Sequence, residues 1–155
     1  MERACTHRHL SGRASEDAEL LRRRAEARCV AAGVRWTVPH DRVFQLLAEA
    51  SGPLGSYDLI HAYRPGGRGN PTTVHESLRV LIACGLVQRV EISKRFVVCE
   101  EGYPSDTLFV CKCCGQVSAA QLGLEPAVTE RANSLVFAVS RFALEVSGHC
   151  EICAT

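Results

Sequence analysis

Two C-x-x-C pairs constrain this chain more than any other feature. Cys111-Lys112-Cys113-Cys114-Gly115 holds one, and His149-Cys150-Glu151-Ile152-Cys153 holds the other. Four thiolates in two close pairs match the tetrahedral Cys₄ site that zinc favours, so Cys111, Cys114, Cys150 and Cys153 are the expected ligands of one structural zinc ion. The 35 residues between Cys114 and Cys150 exceed the roughly 15–20 of a simple zinc ribbon. They must fold back to bring the knuckles together, so the metal clamps the end of the segment to the start of a small α/β module. The alternative is a disulfide pair or unrelated buried thiols.

At 155 residues, 46% of them hydrophobic, the chain has room for one domain or two small ones. No stretch approaches the roughly 18 uninterrupted apolar residues of a membrane span. Met1 to Gly12 is polar and carries no signal-peptide core, although it contains Cys5, His7 and His9. The expectation is a cytoplasmic protein with no membrane partner. There, nine cysteines, an odd number, sit reduced and favour metal over disulfides. Enzymatic chemistry is not expected, nor a small organic substrate. Paired carboxylates and a nucleophile elbow are missing, and Gly66-Gly67-Arg68-Gly69 lacks the Lys-Ser/Thr of a phosphate loop. Four cysteines committed to zinc leave no open position for a catalytic water.

The net charge of +1 hides an asymmetry. Residues 1–98 hold 15 basic against 10 acidic side chains, and residues 99–155 hold 3 against 7. A basic first half joined to an acidic second half points to the first as the part that meets a polyanion. Part of that excess is Arg22-Arg23-Arg24, which a solvated helix face also explains.

Residues 1–14 read as a disordered tail. Ser15 can cap a helix to about Ala32, with Leu20, Leu21, Ala25, Arg28 and Cys29 on one face and Gly33 ending it. Pro39 opens a second helix with the stripe Val43, Phe44, Leu46 and Leu47, and Ser56 precedes a third through Tyr63. Asn70-Pro71 caps and starts a fourth, burying Val74, Leu78, Leu81 and Ile82 before Gly85. Cys29 and Cys84 read as core. A strand pair follows, Leu86–Ile92 and Arg95–Cys99, turning at Ser93-Lys94. Helices followed by a hairpin describe a winged helix-turn-helix. Its fourth helix, with Thr72, Thr73, His75, Glu76 and Arg79, would enter a major groove while Arg89, Lys94 and Arg95 flank phosphates. An α+β module that recognises nothing fits the same pattern.

The predicted organisation is therefore α+β, with a tail at 1–14, a winged helix at 15–99, a hinge at 100–106 and a zinc-stapled α/β domain at 107–155. In the last, Thr107–Cys111 and Gln116–Ser118 read as strands, Glu125–Asn133 as a helix, and Val136–Val146 as one long alternating strand. Small sheets with one helical face pair edge to edge, so a dimer is expected, with the two-fold symmetry that suits an operator.

In order along the chain, Gly33-Val34-Arg35-Trp36-Thr37 is similar to a G-x-R-x-T opening, and Ser56-Tyr57-Asp58-Leu59 to an A/S-x-[ED]-L helix start. Pro71-Thr72-Thr73-Val74 with Leu78 resembles P-x-T-V-Y-R-x-L. Gly85-Leu86-Val87 with Val90 resembles G-x-[VI]-x-x-[VI]. Phe109-Val110-Cys111-x-x-Cys114-Gly115 and Leu144-Glu145-Val146-x-Gly148-x-Cys150-x-x-Cys153 complete the series. Together they resemble the Fur family of metal-dependent transcriptional regulators, most of all its zinc-responsive Zur branch, over residues 16–153. The resemblance implies a homodimer on double-stranded DNA, a Cys₄ structural zinc, a regulatory metal site at the hinge, and repression of zinc-uptake genes. It also implies that Tyr57 approaches DNA.

The departures matter as much. His75-Glu76 stands where the family carries Tyr-Arg, and a glutamate repels phosphate or accepts a proton from cytosine N4. His40 replaces the arginine of T-x-x-R, with Arg42 nearby. At the regulatory site only Cys99 matches, Gln88 occupies a histidine's place, and Ala119 stands near an acidic one. Glu100, Glu101, Asp106, His61 and Cys113 are the possible substitutes. A regulator with a changed operator and reduced metal response is expected. The competing expectation is a zinc-stapled interaction module that has lost specific DNA binding and modulates another family member.

Overall fold

Residues 15–64, 69–100 and 103–154 are described by a computed structural model. They form two compact units that divide between Pro104 and Ser105. The tail at 1–14, the Arg64–Gly69 loop's residues 65–68 and Glu101 lie outside the described residues, and no helix among those described is long and apolar enough to cross a membrane.

The first unit is helical, with a hairpin. Its elements are α1 (Ser15–Ala31), α2 (Val38–Glu49), α3 (Ser56–Ala62), α4 (Pro71–Ala83), β1 (Val87–Val90) and β2 (Arg95–Val98). The α4 helix begins where Asn70 Oδ1 accepts from the Thr72 N–H at 3.0 Å, with proline at its first position. It ends at Gly85, whose φ of +71° a side chain would resist. Val43, Phe44 and Leu47 of α2 meet Val74, Leu78 and Leu81 of α4 in one apolar core, joined by Ala25 and Cys29 of α1. The β1–β2 ladder is antiparallel, with Arg89 opposite Phe96, and Leu54 bridges Phe96 to tie the hairpin to the helices.

Two side-chain expectations differ. Leu20 is half exposed, and Ala18 takes the inward position on α1 instead. On α4 the buried fourth member is Ser77, whose hydroxyl donates to the Thr73 carbonyl at 2.8 Å, while Ile82 is only partly covered. A serine that satisfies itself within its own helix can sit inside at little cost.

The second unit comprises β3 (Thr107–Cys111), β4 (Val117–Ala120), α5 (Glu125–Ser134), β5 (Leu144–Gly148) and α6 (Glu151–Ala154). The sheet order is β4-β3-β5, with β4 antiparallel and β5 parallel to β3. The long strand expected over Val136–Val146 is a correction: only Leu144–Gly148 is strand. Val136 has φ +54°, outside extended geometry, and Phe137 donates its N–H back to the Ala132 carbonyl as part of the helix end. Asp106 then organises the turn before α5, accepting from the backbone N–H groups of Leu122, Gly123 and Leu124 at 2.9, 2.8 and 3.3 Å. Those amides, Leu122's first, hold its carboxyl below the usual range.

Candidate metal centre and nucleic-acid interface

Parallel pairing decides the geometry of the thiols. The β3–β5 register sets Cys111 opposite Gly148, so both chains leave the sheet at the same end and turn into their knuckles side by side. The Lys112 N–H donates to the Gly148 carbonyl at 2.8 Å and continues that pairing into the first knuckle. Within it the Gly115 N–H donates to the Cys111 carbonyl at 3.0 Å, and Gly115 has φ +75°, where a side chain would be strained. The second knuckle closes with the Cys153 and Ala154 N–H groups on the Cys150 carbonyl, the start of α6.

The ligand atoms of Cys111, Cys114, Cys150 and Cys153 all lie within 4.8 Å of one another. Cys114 Sγ and Cys150 Sγ are 3.8 Å apart. A tetrahedron with zinc–sulfur bonds of about 2.3 Å has edges of about 3.8 Å, so this pair already stands at the spacing zinc requires. The Cys150 N–H also points at Cys111 Sγ at 3.4 Å. Backbone N–H groups of Cys114 and Cys150 favour the Cys111 thiolate and draw its pKa down to about 5. Burial and neighbouring thiols push Cys114 up, and push Cys153 up to about 12. One anion is welcomed and its neighbours resist ionising beside it, an imbalance that a dication relieves. The cluster can hold a structural metal ion, and its all-thiol donor set fits zinc.

Cys113 is exposed and outside this cluster, and it is disulfide-bonded, against the expectation that every cysteine is reduced. The seven other cysteines among the described residues are not in disulfides.

In the first unit, α4 presents Thr72, His75, Glu76 and Arg79 outward, with Thr73 partly covered. Tyr57 at the start of α3 is 81% exposed. Lys94 and Arg95, at the hairpin's turn, are exposed too. The charges along this surface are largely paired among themselves, which sequence alone does not reveal. Arg79 Nη2 lies 2.9 Å from the Glu76 carboxylate, Lys94 Nζ 2.9 Å from Glu91, and Arg95 Nη1 3.3 Å from Asp58. Arg95 also donates to the Pro53 carbonyl at 3.0 Å. Arg42, nearest to the family's missing arginine, donates to the carbonyls of Tyr63 and Ala62 at the end of α3. A shallow recess between the starts of α2 and α4 is lined by His40, Asn70, Thr72, Thr73 and Glu76.

Cys99 is buried just past β2, its N–H on the Leu86 carbonyl at 2.9 Å, and Gln88 is buried on β1. His61 is exposed on α3, and Asp106 is occupied by its turn. Among the described residues the four thiols are the only grouping of three or more His, Cys, Asp or Glu side chains able to hold a metal.

No family model matches the chain. The zinc uptake regulation protein of Escherichia coli K12 is 28% identical over 134 residues, covering 83% of this chain and 78% of that protein. A zinc uptake regulator solved with zinc and DNA superposes with a TM-score of 0.80 at 28% identity, over 88% of this chain and 95% of that one. The apo form of a regulator named XcZur is 30% identical over 90% of this chain and 99% of its own, with a TM-score of 0.50.

The chain belongs to the Fur family.

In this Fur-family chain the six motifs are carried by the elements just described. The knuckle motifs meet at one end of the β3–β5 pair, and P-x-T-V forms the first turn of α4. The proteins it matches are regulators, not enzymes.

Proposed function

We propose that this Fur-family chain is a cytoplasmic, dimeric, DNA-binding transcriptional regulator that represses genes for zinc uptake. The observation that carries this reading is the α4 surface, a capped helix presenting Thr72, His75, Glu76 and Arg79 beside a β-hairpin. It lies in a chain that superposes closely on a relative solved with zinc and DNA. Inserted into a major groove, α4 brings those side chains to base edges while Tyr57, Lys94 and Arg95 lie toward phosphates. Glu76 cannot read guanine as an arginine does; its carboxylate accepts from cytosine N4, steadied by Arg79. The operator therefore differs from one read by Tyr-Arg.

Cys111, Cys114, Cys150 and Cys153 hold one structural zinc in each protomer. Cys99, with Gln88 where the family has a histidine, supplies too few donors for a tight second site, so DNA binding depends weakly on added metal. The partner in the dimer is a second copy. Phe109 on β3 and Leu144 and Val146 on β5 leave apolar surface exposed, and among the described residues β5 has one unpaired edge.

The test is capture of genomic fragments by the zinc-loaded protein at one stated salt concentration. A shared, near-palindromic site supports the reading. Weak binding that salt erases, with no common sequence, overturns it in favour of an interaction module. The pairing of Arg79, Lys94 and Arg95 with carboxylates is the observation on that side. Replacing Glu76 with Arg is expected to tighten binding and steepen its salt dependence by about one unit per protomer. No change in either would remove this position from the duplex.

A further inference from the structure

The hairpin of the first unit closes its turn on its own charge. Between the paired residues Val90 and Arg95, Glu91 to Lys94 make the bend. Lys94 takes φ +57°, a left-handed backbone that side chains rarely adopt. In this turn Lys94 Nζ donates to Glu91 Oε2 at 2.9 Å. Arg89 Nε, from β1, stands 3.7 Å from the other oxygen, Oε1. Two cations, one before the bend and one at its end, thus share a single carboxylate.

The two other carboxylates on this surface are held differently. Asp58 Oδ2, which Arg95 approaches at 3.3 Å, also accepts the Gly55 N–H at 2.7 Å, so the start of α3 fixes it. Glu76 and Arg79 are an ordinary pair three residues apart on α4. Glu91 is set between two cations on a bend where its side chain is 59% exposed and that of Lys94 64%. Ion pairs this exposed hold little of the fold together and exchange readily for another anion.

We propose that Glu91 sets the affinity of this surface for DNA by filling, in the free protein, the place that a backbone phosphate takes between Arg89 and Lys94. A carboxylate met by a basic group at each oxygen imitates a phosphodiester, whose two non-bridging oxygens share one negative charge. The lysine supplies a point charge and the arginine a directed N–H. A phosphate enters only as Glu91 swings out, and the displaced carboxylate stays close enough to oppose the duplex. If this surface meets DNA, the reading on which the proposal rests, every duplex faces that opposition whatever its sequence. Binding by phosphate contacts alone is therefore held down, and base contacts from α4 carry more of the total.

The zinc-loaded full chain is titrated onto a random-sequence duplex across a salt series, so no operator need be known. Glu91→Gln is expected to tighten binding about threefold per protomer and to steepen the salt dependence by about one unit. Glu26→Gln, an exposed carboxylate of α1 outside this pairing, removes the same charge and is expected to do less. Lys94→Gln weakens binding. With both Arg89 and Lys94 changed to Gln, the further change Glu91→Gln gives no more than Glu26→Gln does. All four positions are exposed, and an unchanged unfolding midpoint confirms that each variant folds. Three results overturn the proposal. A Glu91→Gln gain that survives the loss of both cations is general electrostatics. Weaker binding in Lys94→Gln with no special gain in Glu91→Gln leaves a wing that meets phosphate unguarded. Binding indifferent to both Arg89→Gln and Lys94→Gln takes the wing off the duplex, and the DNA reading of this surface fails with it.

Discussion

The two units reach a folded state by different physics. Residues 15–100 bury Cys29, Val43, Phe44, Leu59, Val74 and Leu81 almost completely, so a continuous apolar core stands behind every helix there. In residues 105–154 the buried apolar side chains are Leu108, Val110, Cys111 and Ala132, while Leu122, Leu135, Val136 and Phe137 face outward. A module this small, with so few inward side chains, does not balance its conformational entropy by burial alone. Its four clustered thiols can hold a metal ion, which supplies what the core lacks. One unit is sustained by its own apolar core, and the other depends on the cluster of four thiols at one end of its sheet.

The strongest way to break this contrast is to remove the metal. Chelation, or Cys114→Ser, is expected to unfold the second unit and leave the first intact. Structural zinc in small domains contributes about 10–16 kcal/mol of apparent binding free energy, far more than this core can replace. Hydrogen exchange resolved by peptide would show protection lost over 105–154 and kept over α2 and α4. Equal loss in both halves would mean one cooperative body.

The converse experiment cuts into the first core. Leu81→Ala removes a fully buried side chain and is expected to cost about 2–5 kcal/mol. The first unit's unfolding midpoint falls while zinc content stays the same. Zinc loss in this variant would show that the second unit leans on the first.

Asn70→Ala sharpens the picture at the level of one cap. Losing the bond to the Thr72 N–H should cost about 1 kcal/mol, seen as faster exchange at the start of α4. The smallest effect is electrostatic. Glu19 receives hydrogen bonds from Arg22 and Arg23, which draw its pKa down from 4.5 to about 2. Arg22 also reaches Asp41, joining α1 to α2. A carboxyl depressed in the folded state adds stability above its unfolded value and loses it as pH falls through its folded value. Glu19→Gln should therefore lower the first unit's midpoint slightly at neutral pH. The gap from wild type should close as pH drops from 4.5 towards 2, with no effect on the zinc unit.

What sequence could reveal follows the same division. The first unit's elements were legible because capping signals and apolar periodicity agree: Asn70-Pro71 opens α4, and Val74, Leu78 and Leu81 repeat at helical spacing. The clustering of Cys111, Cys114, Cys150 and Cys153 was legible because two C-x-x-C pairs have the spacing a metal dictates. Val136–Leu144 misled, since alternation there has no neighbouring strand to answer it: β5 pairs with β3 only from Leu144 onward. Long-range pairings were invisible from pattern. Nothing local says that Arg42 serves the carbonyls ending α3 or that Arg95 meets Asp58.

The register that sets Cys111 opposite Gly148 also imposes an order on biogenesis. A chain emerging from the ribosome completes α1 through β2 before the first knuckle appears, and that half can fold at once. The second knuckle follows only after more than thirty further residues, so two ligands wait as open thiols until Cys150 and Cys153 emerge. Metal capture is thereby a late inspection step in synthesis. A product broken off before Cys150 has a finished first unit and lacks two of the four thiols that close the second.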